Sequence, residues 1–435
     1  MRSLLIPVGS AGDVYPYVGL GLALRQRGHD VTIATNPHFQ PLIDRVGLKL
    51  IPLGTVAHYE SILANPDLWH PRKGLQVIGT AARAAADELF NIVTAHGNDR
   101  NSVVIGHSLA FAARTAQDAL GLRLVTIHLS PSCLPSAYRT PILHSLLTGI
   151  NCLPRVVKRP LLALGDLAAD RMLDAAINPQ RKSLGLSRAR HITSQWWHSP
   201  TCVIGMFPDW FAPVQPDWPP QLCLTGFPLY DEQGAAATRP EVARFLDDGE
   251  PPVVFVAGSG NRQATQFFRT AVDVCRHLGR RGLLLTPHRA QLPATLPTDI
   301  GHFDYVPFTE LLPRAAALVH HGGIGSAAQA LAAGIPHLVR PMTFDQPDNA
   351  DRLRELGVAR VIPPARFRVK VVTRQLEQLL GSADVTERCR AMATRLRNVD
   401  ALNETCNIVE AVVRGDFPAR GAAEPLGDTV KARVE

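Results

Sequence analysis

The amino-acid sequence predicts an α/β protein made of two doubly wound domains that face each other across a cleft. Two observations lead to this fold class. Short apolar runs alternate with helix-length segments in the first half of the chain, and the alternation restarts at residue 252 after a proline-rich stretch at 208–228. Strands separated by helices form parallel sheets that need helices on both faces, and such sheets bind ligands at the carboxyl ends of their strands.

The first domain is expected to alternate strands and helices up to residue 127. Strands are predicted from short runs rich in Val, Ile and Leu, at 4–8, 30–35, 48–52, 102–105 and 123–127. Helices are predicted from apolar residues at helical spacing, at 14–27, 37–46, 74–97 and 108–120. Residues 140–190 are also expected to be predominantly helical.

The proline-rich stretch and the Gln-Gly-Ala-Ala-Ala run at 233–237 are expected to link the domains, because proline can continue neither a helix nor a central strand. Further strands are then predicted near 252–257, 282–286, 301–305, 316–320, 337–339 and 358–362. The boundaries give an N-terminal domain at 1–220 and a C-terminal domain at 221–384. Helices at 385–414 are expected to pack back on the N-terminal domain, and residues 415–435 are expected to be a disordered tail.

Composition excludes several protein classes. The chain has 435 residues, 46% of them apolar and 19% charged, which is neither a disordered nor a collagen-like composition. Seven Cys without a C-x-x-C pair indicate a reducing compartment, and no secretory signal is recognised, so a cytoplasmic location is expected. The longest uncharged stretch, 315–339, contains four glycines and Pro336, which predicts a strand, turn and helix rather than a membrane span.

The first motif that carries chemistry is Gly9-Ser10-Ala11-Gly12-Asp13-Val14-Tyr15-Pro16, directly after the first predicted strand. Its glycines allow a tight turn and a close approach of a ligand to the backbone, and they place Asp13 at the carboxyl end of a strand. The spacing G-x-x-G is not the dinucleotide motif G-x-G-x-x-G, so a dehydrogenase is disfavoured. Asp13 is a candidate for acid–base chemistry, and a simple cap of the following helix is the alternative.

The second motif is His320-His321-Gly322-Gly323-Ile324-Gly325-Ser326, between a predicted strand and a predicted helix. Free N–H groups and the helix dipole make such a helix start an anion site, where His321 can donate a hydrogen bond to a diphosphate and, when protonated, neutralise part of its charge. Adjacent residues on a strand point to opposite faces and no cysteine lies nearby, so a zinc site is disfavoured. A core histidine is the other alternative.

The third motif, Pro341-Met342-Thr343-Phe344-Asp345-Gln346-Pro347, also lies between a strand and a helix. The side-chain oxygens of Asp345 and Gln346 suit the hydroxyl groups of a sugar, while helix capping by Asp345 is the alternative. Ala257-Gly258-Ser259-Gly260 is a fourth glycine-rich loop after a strand, and it is weak evidence by itself.

Together, the segments G-S-A-G-D-V-x-P, R-G-H-D-V-T, H-H-G-G-I-G-S and F-D-Q-P-D-N-A resemble the motifs of family 1 glycosyltransferases, in order and at the expected separations. The resemblance covers residues 1–60 and 220–410, and the motifs are most similar to those of bacterial rhamnosyltransferases that form rhamnolipids or modify flavonoids. It implies the GT-B fold, in which two Rossmann-like domains face each other, and inverting transfer of a sugar from a nucleotide-sugar donor.

The resemblance gives individual residues a role. Asp13 takes the position of the general base, Tyr305 and Val306 take that of the nucleobase contacts, and Asp345 with Gln346 takes that of the donor-sugar contacts. The other donor-binding positions that it implies are Ser10, Gly12, Ser259, His321, Gly323, Gly325, Ser326 and Gln329.

Two positions depart from the family pattern. Gly106-His107-Ser108 stands where many members carry an aspartate that partners a histidine base, which agrees with an aspartate base and leaves His107 as the second candidate base and as an acceptor contact. Gln329 replaces the glutamate that commonly binds the ribose hydroxyls. The donor is therefore left open between a UDP-sugar and a deoxythymidine diphosphate sugar such as dTDP-rhamnose.

The implied reaction is an in-line displacement, in which Asp13 accepts the hydroxyl proton of the acceptor as the oxygen attacks C1 of the sugar. No Asp-x-Asp pair occurs in the sequence, so neither a metal nor another cofactor is expected. Two alternatives stay open, a sugar-nucleotide 2-epimerase of the same fold and a nucleotide-sugar-binding protein without turnover.

Positive charge is concentrated in residues 151–200, which carry eight Arg or Lys and three Asp, but no nucleic-acid-binding motif accompanies it and nucleic acid is not an expected partner. Apolar runs such as Leu161-Leu162 lie among the cations Arg155, Lys158, Arg159 and Arg171. This pattern favours a wall for a hydrophobic small-molecule or lipid acceptor, with Arg155 and Arg159 as candidate contacts, or peripheral contact with an anionic membrane. The alternative is an amphipathic helix whose Leu face packs on the sheet while its cations are solvated.

Overall fold

The computed structural model describes residues 1–70, 73–97, 99–144, 147–232 and 240–417. The N-terminal half forms a seven-stranded sheet in the order β3-β2-β1-β4-β5-β6-β7, and each neighbouring pair of strands is parallel. The strands are β1 (Arg2–Ile6), β2 (Asp30–Thr35), β3 (Lys49–Pro52), β4 (Ser102–His107), β5 (Leu124–His128), β6 (Cys202–Gly205) and β7 (Leu222–Leu224).

The C-terminal half forms a six-stranded parallel sheet in the order β10-β9-β8-β11-β12-β13. Its strands are β8 (Val253–Val256), β9 (Gly282–Leu285), β10 (Ile300–Phe303), β11 (Ala317–His320), β12 (His337–Val339) and β13 (Ala359–Val361). The predicted α/β class with two parallel-sheet domains is therefore confirmed.

Helices connect the strands and cover both faces of each sheet. In the first half they are α1 (Ala11–Gln26), α2 (Gln40–Arg45), α3 (Val56–Ala64), α4 (Gly74–Ala84), α5 (Ala86–Gly97), α6 (Phe111–Leu120) and α7 (Arg155–Ser183). In the second half they are α8 (Pro240–Asp247), α9 (Thr265–Leu278), α10 (Phe308–Leu311), α11 (Ile324–Ala333), α12 (Gln346–Glu355), α13 (Val369–Leu380), α14 (Ala383–Arg397) and α15 (Ala401–Arg414). No helix in the described part of the chain has both the length and the apolar character needed to cross a bilayer.

The central strands are buried on both faces, which is why they are continuous apolar runs rather than alternating ones. Leu5 and Ile105 are fully buried in the core of the first sheet, and Val253 and Phe255 are fully buried in that of the second. Helix α1 is enclosed in the same way, because one of its sides packs on the first sheet and another on α15. Its N-terminus is thereby fixed at the carboxyl edge of the sheet.

The N-terminal domain ends later than predicted. Strand β7 pairs with β6, so the N-terminal sheet extends to Leu224 and the predicted boundary at 220 is too early. Helix α15 packs on α1 of the N-terminal domain. Helix α14 packs on α11 of the C-terminal domain and also contacts the N-terminal domain, where its Arg395 guanidinium lies over the Trp210 ring at 5.9 Å. The predicted tail overlaps residues 418–435, and the Gln-Gly-Ala-Ala-Ala linker lies within 233–239, so both fall outside the described residues.

Candidate active site

A single large cavity of about 1780 Å³ lies between the two sheets and is lined by both domains. The loops that follow β1, β4, β8, β11 and β12 all contribute to it, as expected for parallel sheets whose carboxyl ends face each other. Its volume exceeds the range of about 300–1,000 Å³ that is typical of a site for one small molecule. The cavity therefore has room for two substrates at once.

Asp13 lies at this cavity in the first turn of α1 and is both a helix cap and a cleft residue. Its Oδ2 accepts hydrogen bonds from the backbone N–H of Ser10 at 2.7 Å and from the Ser10 hydroxyl at 3.2 Å. Burial raises the pKa of Asp13 to about 6, and the hydrogen bonds from Ser10 oppose that rise. The capping role and the acid–base role are thus compatible, because both hydrogen bonds from Ser10 go to Oδ2 of the carboxyl group.

Gly9 is required for this arrangement. Its φ of +139° is unfavourable for residues with a side chain, and a β-carbon at this position would lie 2.1 Å from Oδ2 of Asp13. The glycine therefore lets the carboxyl group fold back over the start of its own helix. The motif signal in the sequence has this local steric cause.

His107, the second candidate base, lies at the end of β4 and also lines the cavity. Its Nδ1 accepts a hydrogen bond from the backbone N–H of Leu109 at 3.2 Å. Burial lowers its pKa to about 4, so the ring is neutral near pH 7. The structure thus brings His107 into the same cleft as Asp13 without a carboxylate partner among its hydrogen bonds.

The loop after β11, where an anion site is predicted, lines the cavity. Gly323 is the N-cap residue of α11, and the side chain of His321 lies beside Gly258 and Gly323, where added β-carbons would lie 3.0 and 2.5 Å from its Nε2. The Nδ1 atom of His321 is buried and has no hydrogen-bond partner among the described residues. Burial lowers the pKa of His321 to about 4, so near pH 7 it can donate a hydrogen bond but adds no charge.

His320 points the other way, as the strand geometry predicts. It is fully buried and its Nε2 lies 3.2 Å from Nδ1 of His337. In the described part of the chain, no three His, Cys, Asp or Glu side chains are grouped closely enough to hold a metal ion. His320 is therefore a core histidine, and His321 belongs to the cleft.

The predicted nucleobase contacts differ in their availability. Tyr305 is 36% exposed and its ring lies 6.3 Å from that of Tyr15 at an angle of 24°, while its hydroxyl donates to the backbone oxygen of Asp231 at 2.6 Å. The Val306 side chain is buried in the core, so only its backbone can serve a ligand. Gln329 lines the cavity from α11 and is 7% exposed.

Asp345 is the N-cap residue of α12 and faces the cavity. Its Oδ2 accepts a hydrogen bond from Asn349 Nδ2 at 2.7 Å. Burial, and then the charge of Asp13, raise the pKa of Asp345 to about 7. Burial and Asp345 also raise the pKa of the Cys133 thiol to about 12, and Asp13 adds to that rise, which places the three side chains in one part of the cleft.

Gln346 is placed differently from the prediction. Its side chain is 3% exposed, and its Oε1 already accepts hydrogen bonds from the backbone N–H groups of Met342 at 2.9 Å and Thr343 at 3.4 Å. The amide oxygen that was expected to bind a sugar hydroxyl therefore holds the loop in shape instead. Only the NH₂ group remains to contact a ligand.

The remaining predicted donor-binding positions all line the cavity; they are Ser10, Gly12, Ser259, Gly325 and Ser326. Gly12 and Gly325 can offer a ligand only their backbone atoms. The predicted acceptor contacts Arg155 and Arg159 do not line the cavity. The Arg155 guanidinium stacks on the Tyr138 ring 4.7 Å away, and the buried Lys158 ammonium donates to the Tyr138 carbonyl at 2.9 Å. Part of the predicted cationic wall is thus bonded to its own chain.

Sequence reasoning missed Asn349, which is fully buried and connects three loops of the cleft. Its Nδ2 donates to Asp345 and, at 3.0 Å, to the backbone oxygen of Gly322, and its Oδ1 accepts from the Ser130 hydroxyl at 3.2 Å. Asn349 thereby holds two loops against the N-terminal domain. They are the loop after β11 at 321–323, called here the anion loop, and the loop after β12 at 340–345, called here the sugar loop. The sequence signal for Asn349 was its place three residues after Gln346 in F-D-Q-P-D-N-A.

Sequence reasoning also missed Arg262. Of the described residues that line the cavity, only Arg45 and Arg262 carry a permanent positive charge, and Arg45 is paired with Glu232 at 2.5 Å. The Nε of Arg262 is buried, and no residue in the described part of the chain bonds to it. The pKa of His288 is lowered by burial and, to a smaller extent, by the charge of Arg262. The pKa of Tyr59 is raised by burial, and the charge of Arg262 opposes that rise.

The backbone that carries Arg262 is held in place. Asn261 is 2% exposed, its N–H bonds to the Gly258 carbonyl at 3.1 Å, and its own carbonyl accepts from Gln291 at 2.8 Å. A β-carbon on Gly260 would lie 3.6 Å from that of Ser10, so this loop meets the start of α1. The loop that carries Arg262 is therefore held in place and contacts both Ser10 and His321 through its glycines.

Phe344 and Trp69 are a further contact between the domains. Phe344 is one of the few described non-glycine residues with a positive φ, +59°, and its ring lies 6.3 Å from the Trp69 ring in an edge-to-face arrangement. A left-handed conformation is costly for a bulky side chain. The sugar loop thus carries backbone strain at the residue before Asp345.

Two family models match separate parts of the chain. Residues 4–133 match the glycosyltransferase family 28 N-terminal domain, and residues 283–412 match the erythromycin biosynthesis protein CIII-like, C-terminal domain. These two ranges carry Asp13 and His107 on one side of the cleft and His321 and Asp345 on the other. The two matches therefore meet at the cavity.

Characterised relatives span nearly the whole chain. The chain is 28% identical to O-mycaminosyltylonolide 6-deoxyallosyltransferase of Streptomyces fradiae, over 94% of this chain and 97% of that protein. It is 30% identical to the glycosyltransferase GtfC of Amycolatopsis orientalis, over 82% of this chain and 85% of that protein. The spinosyn rhamnosyltransferase SpnG, solved with thymidine diphosphate, has a TM-score of 0.68 at 18% identity and covers 94% of this chain and 100% of its own, which shows a shared fold.

Proposed function

Since this chain belongs to the GT-B natural-product glycosyltransferases with a family 28 N-terminal domain and an erythromycin CIII-like C-terminal domain, we propose that it transfers a deoxysugar with inversion from a nucleoside diphosphate to a hydroxyl group of a hydrophobic acceptor. One observation carries the proposal. The carboxyl group of Asp13, with its pKa near 6, faces a cleft that also holds the anion site at the start of α11.

Asp13 is the general base of the proposed reaction. The acceptor oxygen attacks C1 of the sugar, the bond from C1 to the diphosphate oxygen breaks, and the hydroxyl proton passes to Asp13. A carboxyl group with a pKa near 6 is mostly ionised at pH 7 and is a better proton acceptor than one with an ordinary pKa. Oδ2 is held by Ser10, which orients the carboxylate before substrate binds.

The leaving diphosphate is stabilised by three groups in the proposed mechanism. The first N–H groups of α11 point to the anion site, and the unpartnered Nδ1 of His321 can donate a hydrogen bond when it carries the proton. Arg262 supplies the positive charge, because His321 is neutral near pH 7. With this charge in place, the proposed mechanism needs no metal ion.

The donor is proposed to be a deoxythymidine diphosphate sugar, with dTDP-rhamnose as the first candidate and a UDP-sugar as the second. Support comes from the neutral Gln329 at the ribose position, from the rhamnosyltransferase-like motifs, and from two named similarities. SpnG binds thymidine diphosphate, and a 29% identical relative from Amycolatopsis orientalis is a dTDP-epi-vancosaminyltransferase.

The acceptor is proposed to be a large, mainly apolar molecule with at least one hydroxyl group. The N-terminal domain lines its part of the cavity with aliphatic and aromatic side chains, among them Leu63, Leu75, Ile78, Leu89, Phe111 and Leu162. Apolar walls with a few polar groups fix an amphiphilic ligand by burial and orient it by hydrogen bonds. His107 and Ser108 are polar groups of the same cavity wall and are proposed to orient the hydroxyl.

The test is a thermal-shift panel of UDP- and dTDP-sugars, followed by mass spectrometry with hydroxylated apolar acceptors. A rise in the melting temperature with dTDP-sugars, and a product whose mass equals acceptor plus deoxysugar, are the expected results. An altered sugar nucleotide formed without acceptor would instead show a 2-epimerase. Donor binding with neither product would show a binding protein.

A further inference from the structure

The described residues have 15 large apolar side chains that are strongly exposed, and nine of them lie within one segment, 138–167. The nine are Tyr138, Leu143, Leu147, Leu153, Val156, Val157, Leu161, Leu164 and Leu167. Single exposed apolar residues are ordinary, whereas a contiguous group marks a surface that is covered in use. The first half of α7 and the segment before it form this group, called here the α7 ridge.

The five ridge residues that belong to α7 lie on one side of that helix. Val156, Val157, Leu161, Leu164 and Leu167 recur at steps of one, three and four residues, which places them on one face. Val156 is 77% exposed and Leu164 is 64% exposed. The sequence-based alternative, in which this Leu face packs on the sheet, is therefore wrong, because the buried residues of α7 such as Leu173 and Ile177 lie farther along the helix.

Charge on the α7 ridge has one sign. No Asp or Glu occurs from residue 119 to residue 165, while Arg155 and Arg159 are exposed there. The acidic residues later in α7 are engaged within the chain. Asp166 accepts from His191, Thr193 and Ser194; Asp170 accepts from the backbone N–H groups of His191 and Ile192; and Asp174 pairs with Arg188.

The α7 ridge is continuous with the wall of the cavity. Leu143, Leu147 and Leu161 belong to both the exposed group and the cavity lining, and the neighbouring Leu162 lines the cavity as well. The ridge and the wall of the cleft therefore share apolar side chains.

We propose that the α7 ridge docks on an anionic lipid bilayer and lies in the plane of the interface. Val156, Leu164 and Leu167 would enter the boundary between headgroups and acyl chains, while Arg155 and Arg159 meet the lipid phosphates. An apolar face with cations and no carboxylates is complementary to such a surface. The delivery of a lipid-soluble acceptor to the cleft rests on the proposed function, whereas the docking itself does not.

The test is co-sedimentation of the full chain with vesicles of phosphatidylcholine alone and of phosphatidylcholine mixed with phosphatidylglycerol. The protein is expected to bind the anionic vesicles and to be released by salt. Arg155→Gln with Arg159→Gln should weaken binding by roughly 30-fold, at about 1 kcal/mol for each arginine. Val156→Ser with Leu164→Ser should weaken vesicle binding at low and at high salt alike, because this variant removes apolar area that would be buried in the bilayer.

Val214→Ser is the matched control, since Val214 is 61% exposed but lies outside the ridge. It should bind vesicles like the wild type, and all variants should keep the wild-type melting temperature. Glycosyl transfer to a water-soluble acceptor without vesicles should be unchanged in Val156→Ser with Leu164→Ser, so loss of docking is distinguishable from loss of the proposed function. Equal binding of ridge and control variants would overturn the proposal. So would light scattering that shows a dimer of the wild type which the Val156→Ser, Leu164→Ser variant cannot form.

Discussion

The carboxyl groups of Asp13 and Asp345 act on each other across the cleft, one from each domain. The charge of Asp13 is second only to burial among the causes that raise the pKa of Asp345 to about 7. Two buried carboxylates of like charge are costly unless one holds a proton or a ligand separates them. The protonation states of Asp13 and Asp345 therefore depend on each other.

Replacement of the base is the first prediction. Asp13→Asn should lower turnover by about two or more orders of magnitude, the usual effect of removing a general base, and leave donor affinity nearly unchanged. Steady-state kinetics and calorimetric titration with the nucleoside diphosphate measure the two effects. The matched variant His107→Gln should keep most of the turnover, and the opposite ranking would make His107 the base.

The pH profile is the second prediction. Because Asp13 must be ionised to accept a proton and its pKa is about 6, kcat/KM should rise tenfold per pH unit below that value and become level above about pH 7. An ordinary carboxyl group would instead give a level profile down to about pH 4. A rise centred near pH 4 would show that the burial of Asp13 is relieved in the free enzyme.

The third prediction concerns stability. The pKa of Asp345 is raised in the folded state, so the folded chain binds more protons than the unfolded chain between about pH 4 and 7, and its free energy of unfolding falls as pH rises through that window. Asp345→Asn removes this penalty. The variant should be more stable than the wild type by about 1–2 kcal/mol at pH 8, a value reduced for partial solvent access.

Denaturant unfolding at pH 8 and pH 4 measures this difference. Near pH 4 the advantage of the variant should disappear, because the wild-type carboxyl group is then protonated when folded. A variant less stable than the wild type at both pH values would show that the hydrogen bond from Asn349 outweighs the charge repulsion.

The anion loop gives the fourth prediction. His321→Ala should weaken binding of the nucleoside diphosphate by about 1.5–3 kcal/mol, the range for hydrogen bonds to charged groups. Acceptor binding should change little, and wild-type transfer should survive EDTA. Activity that is lost on chelation and restored by Mg²⁺ or Mn²⁺ would contradict the metal-free mechanism.

Arg262 gives the fifth prediction. Arg262→Gln should weaken binding of dTDP by about tenfold or more while binding of thymidine stays unchanged, because the guanidinium is proposed to act on the diphosphate alone. Arg269→Gln, an exposed position on α9 outside the cavity, is the control. Equal losses for dTDP and thymidine would assign Arg262 to loop structure instead of charge recognition.

The sequence predicted the parts of the site that depend on local signals. Asp13 and His321 follow strands within glycine-rich turns, so their backbone geometry is encoded by neighbours in the sequence. Arg262 and Asn349 lie in or beside such motifs, but their neighbours in the sequence do not show what they contact. Asn349 bonds to Ser130, more than 200 residues away, and the Nε of Arg262 has no hydrogen-bond partner among the described residues. Such relationships exist only after the two domains meet.

The same distinction explains the errors. The alternation of apolar runs predicted both sheets, but the boundary at 220 was wrong because β7 pairs through backbone hydrogen bonds that prolines nearby do not prevent. The side-chain oxygen of Gln346 is predicted to face the cleft, but the side chain turns toward its own loop and this oxygen accepts a hydrogen bond from the Met342 backbone. Residue type and spacing do not encode that rotation.

The crossing of α15 has a consequence for synthesis and for engineering. Cys406, Val409 and Val412 complete the core beneath α1, so the N-terminal domain lacks a piece of its interior until residues 401–414 have been synthesised. Native packing around Asp13 therefore depends on a segment that follows the C-terminal domain in the chain. A chimera that exchanges N-terminal halves between relatives to alter acceptor choice must also exchange residues 401–414, because otherwise α15 and α1 come from different proteins and their packing is mismatched.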